Sequence, residues 1–272
     1  MNSSDFRARA REKLNEKWGK AALITFIYMA INFGIQYISK HTTSSISLII
    51  SIAYYIISVP LTFGITMSFV NLSKDKEVND FDFFTLGFSN FSKSWGIAIR
   101  MFLKLLVPLI VFFISFSLLI GGSSVLMVSS ILSKANSASL NAISSTGTDG
   151  AFSAMIIVGI VLTIISSIWV TLKSYYFQLS YIIAADDETI SPKDAVEKSR
   201  ELMTGNRFKL FCLQLSFIGW AFLTGLTFGI GFLWVFPYMQ VSIIAFYFHL
   251  KGDKINNTNT EVIGETTNQE NQ

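Results

Sequence analysis

The positive charges of this chain sit in alternate gaps between its apolar stretches, and that asymmetry restricts what it can fold into. Of 21 Lys and Arg residues, 19 occupy four places. These are the N-terminal tail (Arg7, Arg9, Arg11, Lys13, Lys17, Lys20), a second stretch (Lys74, Lys76, Lys93, Arg100, Lys104), a third (Lys173, Lys193, Lys198, Arg200, Arg207, Lys209) and the C-terminal tail (Lys251, Lys254). The intervening gaps hold only Lys40 and Lys134. Moving cations across a bilayer is unfavourable, so the loops that keep them stay cytoplasmic. The pattern predicts a membrane protein with an even number of spans and both termini in the cytoplasm.

Composition agrees. Apolar residues make up 51% of the chain and charged residues 14%, with a mean hydropathy of +0.50. A soluble domain carries about 25% charged residues. The net charge of +3 suits anionic lipid headgroups better than nucleic acid, which needs a dense basic face. One cysteine, Cys212, excludes an intramolecular disulfide. The basic N-terminus leads into an apolar run too long for a signal-peptide core, which reads as a retained first span.

A hydrocarbon core about 30 Å thick needs about 20 helical residues. Six stretches qualify: 21–38, 46–70, 97–121, 152–172, 208–228 and 232–250. The fold class is therefore an all-α polytopic bundle of six transmembrane helices. A single membrane domain is expected over 1–250. The polar tail, 251–272, has too little apolar surface to fold and is expected to be disordered. The Ser- and Gly-rich stretch from 121 to 150 reads as an external connection. Gly229-Ile230-Gly231 joins the last two spans as a tight hairpin.

Three cytoplasmic segments are amphipathic. The N-terminal tail has a stripe of Phe6, Ala10, Leu14 and Trp18. The second segment carries Phe81, Phe83, Phe84, Phe88 and Phe91. The third opens with Ser191 as N-cap and Pro192 at the first helical position, carries Ala195, Val196, Ser199, Leu202 and Met203 on one face, and stops at Gly205. Apolar faces with basic rims lie flat among lipid headgroups. Each segment precedes a pair of spans, which suggests three degenerate copies of a surface helix plus a helical hairpin. Arg7, Arg11, Lys17, Trp18, Lys93, Trp95, Arg200 and Arg207 are the expected headgroup contacts.

Inside the spans there is no Asp or Glu, which argues against an ion-coupled pump. The polar residues there are Asn32, Gln36, Gln214 and Gln240. They line a polar pathway or bond across helices as glue, each contributing about 0.6 kcal/mol and at most about 2 kcal/mol. Ala221, Gly225 and Gly229 form a small-residue ladder for close helix packing, and Gly159, Thr163 and Ser167 repeat it in the fourth span. Asp186-Asp187-Glu188 reads as a solvated exit loop, with a hard-cation site as the sharper alternative. No nucleophile, metal or nucleotide motif is present, so no catalytic, metal or cofactor residue is assigned and no enzymatic activity is expected.

Ser199-Arg200, Leu202-Met203, Gly205, Leu215-Ser216-Phe217-Ile218-Gly219-Trp220, Gly229-Ile230-Gly231, Leu233-Trp234, Pro237-Tyr238 and Ala245-Phe246-Tyr247 resemble the domain-of-unknown-function 975 family. Arg11-Glu12, Leu14 and Trp18-Gly19 fit its opening. The resemblance implies a multi-pass protein of the bacterial plasma membrane and brings no activity or functional residues with it. The expected function is a non-enzymatic accessory, envelope-stress or partner-binding role, its partners being the bilayer, anionic headgroups and other membrane proteins, and no nucleic acid. The alternative is a transporter or permease subunit. A lipid-modifying enzyme comes third and needs Asp186 to meet another acid or His249.

Overall fold

The computed structural model describes residues 1–135 and 148–270, with side chains over 1–121 and 154–253. The middle of the connection expected over 121–150 lies outside the described residues. Helices follow in the order α1 (Ser3–Leu14), α2 (Trp18–Lys40), α3 (Ser44–Ser73), α4 (Asp82–Ser89), α5 (Phe91–Ala135), α6 (Thr148–Ser174), α7 (Ser180–Asp186), α8 (Pro192–Met203), α9 (Arg207–Leu215), α10 (Ile218–Leu226) and α11 (Phe232–Glu270). No strand occurs among the described residues. Residues 1–100 and 176–272 form one compact unit and 101–175 another.

Six segments are long and apolar enough to cross a membrane: Trp18–Lys40, Ser44–Ser73, Phe91–Gly121, Ala154–Asp186, Arg207–Leu226 and Phe232–Asp253. The six-span, all-α expectation holds. A short helix precedes each pair of spans, three times along the chain. Two spans differ in form from the continuous rods expected. The fourth passes through a 3-10 turn at Tyr175–Phe177 before α7. The fifth is divided into α9 and α10 at Ser216 and Phe217, where the Ser216 hydroxyl donates to the Leu213 carbonyl at 2.6 Å. Such a bond competes with the helical ladder. Backbone helix in α11 continues to Glu270, over most of the stretch expected to be a disordered tail; its side chains from 254 on lie outside the described residues.

The larger unit is built around the second half of α3. Its residues from Pro60 to Ser73 are almost all buried, against α2, α4, α7 and α11. Pro60 has no N–H, so the carbonyl of Ile56 loses its helical donor. The indole N–H of Trp95 supplies one at 3.2 Å. A second joint lies beside it. A Cβ on Gly64 would strike the Phe83 carbonyl and come within 2.9 Å of the Gly87 Cα; a Cβ on Gly87 would strike the Pro60 carbonyl. Two glycines thus let α3 and α4 touch backbone to backbone.

Two of the three amphipathic segments, α1 and α8, bury their apolar faces against protein, which corrects for them the expectation that they rest on lipid. Phe6, Ala10 and Leu14 of α1 are at most 1% exposed. Phe6 meets Phe246 of α11 edge to face, with centroids 5.3 Å apart. In α8, Ala195, Val196, Ser199, Leu202 and Met203 are buried, and α8 packs on α7. The predicted cap is present: Ser191 Oγ accepts from the Asp194 N–H at 3.2 Å, and Gly205 is left-handed (φ +82°). In the second segment, Phe83 of α4 is buried, while Phe84 of α4 and the flanking Phe81 and Phe91 remain exposed. Periodicity identifies a face that must be covered; it does not distinguish a lipid from a neighbouring helix.

In the smaller unit α5 and α6 meet at Gly159, where a Cβ would lie 3.0 Å from the Leu119 backbone. The buried hydroxyls of Ser115 and Ser166 bond carbonyls of their own helices, Val111 and Thr163. Phe102, Leu103, Phe113, Ile114, Ile164 and Ile165 are exposed, as a lipid-facing surface requires.

Candidate functional site

The densest polar cluster is on the basic side of the larger unit, at the end of α7. Asp186 closes that helix with its side chain only 3% exposed. Lys74 Nζ lies 2.6 Å from Oδ1, Lys251 Nζ lies 2.5 Å from Oδ2, and the Tyr247 hydroxyl donates to Oδ2 at 2.7 Å. Lys74 also donates to the Asp186 carbonyl at 3.0 Å. Lys93, from the first turn of α5, donates to the carbonyls of Ala184, Asp187 and Glu188 at 3.1, 3.1 and 2.9 Å. These are the orphan carbonyls and loop carbonyls at a helix C-terminus, where a cation is favoured. Four elements therefore meet at one short acidic turn.

This corrects the reading of 186–188 as a solvated loop. Asp186 is buried because its counter-charges come from α3 and α11, far off in sequence. Glu188 does match the solvated reading, being exposed; Asp187 is half-buried at the turn, and accepting from the Thr189 hydroxyl and N–H holds its carboxyl below the ordinary range.

A second ionic joint ties the α1–α2 junction to the end of α3. Asp75 stands 2.5 Å from Lys13 Nζ and 2.6 Å from Lys17 Nζ. These hydrogen bonds push its carboxyl down to about 2. A third joint is Tyr238 of α11, whose hydroxyl accepts from Arg11 at 2.9 Å. Its ring is met edge-on by Trp18, Phe217 and Trp220.

Five of the eight side chains expected at headgroups bond or pack against other parts of the protein. Arg11 bonds Tyr238, Lys17 bonds Asp75, Lys93 caps α7, Trp18 packs on Tyr238, and Trp95 bonds the Ile56 carbonyl. The Arg207 guanidinium sits 4.2 Å from the centre of the Tyr176 ring. Arg7 is half-buried, its Nε lacking a hydrogen-bond partner. Arg200 is exposed.

The four amides of the expected pathway divide among separate surroundings. Asn32 donates to the Tyr28 carbonyl and accepts from the Tyr54 hydroxyl, both at 2.6 Å, which joins α2 to α3. Gln36 is exposed near the end of α2; Gln214 and Gln240 are half-buried on α9 and α11. In the ladder, Ala221, Gly225 and Gly229 are exposed, and a Cβ at either glycine meets nothing within 4 Å. The close approach expected there occurs instead at Gly64 and Gly87, while the one expected at Gly159 in the fourth span is present. Gly229 serves the hairpin through its left-handed backbone (φ +89°). His249 lies 3.3 Å from Asp253, and among the described residues no three His, Cys, Asp or Glu side chains gather as a metal site.

Sequence reasoning missed Lys74, Tyr247 and Lys251 as partners of Asp186, and Tyr54 as partner of Asn32. Pro60 carried a usable signal: a mid-span proline leaves a carbonyl that something must satisfy.

Six segments long and apolar enough to cross a membrane define a multi-pass helical membrane protein. The family model described as "Protein of unknown function (DUF975)" matches residues 1–254, and the chain belongs to that family. No curated protein and no solved structure matches it.

Proposed function

We propose that the protein is a non-enzymatic accessory of the bacterial plasma membrane that binds a partner membrane protein, with both termini in the cytoplasm. One observation carries the reading: the buried carboxylate of Asp186 has its oxygens occupied by two ammonium groups and a phenol. A carboxylate held in that way joins helices and is poorly placed to act as a base or metal ligand. The exposed ladder of Ala221 and Gly225 on α10 offers a second transmembrane helix a close approach. Photo-crosslinking from Leu223, exposed on the same helix, tests this in native membranes. A reproducible membrane-protein neighbour supports it; substrate turnover by the purified protein in liposomes overturns it. For orientation, N141C in a Cys212→Ser background reacts with an impermeant thiol reagent on intact cells. Labelling only after lysis reverses the topology.

A transporter or permease subunit is the second reading. It draws on the interruptions of the fourth and fifth spans, because broken helices in transporters line substrate sites. The Asn32–Tyr54 bond favours helix cohesion over a pathway. A lipid-modifying enzyme loses its motivation, since Asp186 faces lysines and His249 faces Asp253.

A further inference from the structure

A half-open cavity of about 280 Å³ lies between α1 and α11 on the basic side. Arg9, Glu12 and Lys13 of α1 form one wall. They lie beside the buried stripe of Phe6, Ala10 and Leu14 rather than within it. The opposite wall is Val241, Ala245 and Phe248, at successive turns of one face of α11. Ser73, the last residue of α3, closes one end. The cleft is thus amphipathic across its width, with cations on one wall and apolar groups on the other. Ser73 marks the end of the second span, while Val241, Ala245 and Phe248 lie within the sixth, Phe248 nearest its end.

We propose that this cleft binds the phosphodiester of a singly charged anionic phospholipid, with its first methylenes against Val241, Ala245 and Phe248. Arg9 is exposed and presents the planar donor fork that matches phosphate oxygens. Lys13 gives one contact to Asp75, and an ammonium has three donors, so it serves both. Glu12 adds a negative charge and a hydroxyl acceptor between them. It disfavours a doubly charged phosphate monoester and favours a headgroup with a hydroxyl donor, as in a glycerol headgroup. The volume lies just below the usual lower limit of about 300 Å³ for ligand pockets, which suits a headgroup and the root of its chains rather than a whole lipid. Basic pockets between membrane helices at the headgroup level bind anionic lipids in this way. The assignment is independent of the partner-binding reading, since it concerns α1 and α11 and not α10.

The test is lipid retention by the full-length protein, delipidated in detergent and titrated with phosphatidylglycerol or phosphatidylcholine, read by native mass spectrometry. The wild type is expected to retain phosphatidylglycerol in preference to phosphatidylcholine. Arg9→Gln is expected to weaken that retention roughly fivefold or more, the scale of losing a charge-assisted contact. Lys20→Gln removes the same charge from an exposed position outside the cleft and is expected to leave it unchanged. Ala245→Phe fills the cleft without touching its charge and is expected to weaken retention as well. Equal losses in Arg9→Gln and Lys20→Gln would mean diffuse attraction to a basic surface and overturn the site. Equal retention of the two lipids overturns it too, as does displacement of phosphatidylglycerol by equimolar inorganic phosphate, which would indicate a site for free anions.

Discussion

At the level of single residues, the decisive feature is the convergence of several donors on one buried carboxylate. Asp186 is tolerated inside because Lys74, Lys251 and Tyr247 saturate it. Removing one member of a buried ion pair costs about 3–5 kcal/mol, because the partner is left uncompensated. Here both ammonium groups are partly exposed (27% and 38%), so water screens them after the loss. Asp186→Asn is expected to destabilise the protein by about 2 kcal/mol, lowering its melting temperature in detergent, while Asp187→Asn, whose amide oxygen can still accept from Thr189, lowers it less. Asp75 has a different, pH-dependent signature. Its carboxyl falls from 3.8 to about 2 on folding, so its pairing with Lys13 and Lys17 stabilises the folded state fully above pH 3.8. That stabilisation is lost as pH falls toward 2, because the protonated acid no longer attracts either lysine. The effect is exposed and screened by salt. Melting curves of the wild type and Asp75→Asn at low ionic strength are expected to differ above pH 4 and to converge near pH 2.

Among elements, glycine position decides which helices touch. The expected ladder on α10 has the right spacing, but among the described residues a Cβ at Gly225 or Gly229 meets nothing within 4 Å, whereas Gly64 and Gly87, on separate helices, face each other across a backbone contact. Spacing along one helix shows that close approach is allowed. It does not show that another helix arrives. Gly64→Ala is expected to force α3 and α4 apart and destabilise by about 2–3 kcal/mol, the upper range for overpacking, because the obstacle is backbone and cannot rotate away. Gly225→Leu is expected to leave the melting temperature of the purified protein unchanged. The two variants compared in one detergent check both statements. The amphipathic helices teach the same lesson. Their faces were legible from Phe6, Ala10 and Leu14 and from Ala195 to Met203. Their covering by α11 and α7 was not, because a 3.6-residue period records only that a stripe is dry.

For the molecule as a whole, six apolar segments and the distribution of cations were readable without coordinates, because the bilayer acts on segment averages. About 20 apolar residues satisfy its thickness whatever their order. The lipid-facing surface of α5 follows from this. A lysine at Ile114, which is 56% exposed in mid-span, is expected to oppose insertion by about 2.5–3.5 kcal/mol, and membrane yield of Ile114→Lys against Ile114→Val checks it.

The sequence alone determined the helical class, the number of spans, the cap at Ser191 and the left-handed stop at Gly205. All of these depend on interactions within a few residues or with a uniform solvent. The tertiary structure decided the rest: that Asp186 is a buried junction, that Trp95 completes Ile56, that Asn32 binds Tyr54, and that Arg11, Lys17 and Lys93 bond groups of the protein. Lys74 reaches Asp186 from 112 residues away. Such pairings depend on which helix ends the folded chain brings together, and no local pattern encodes that.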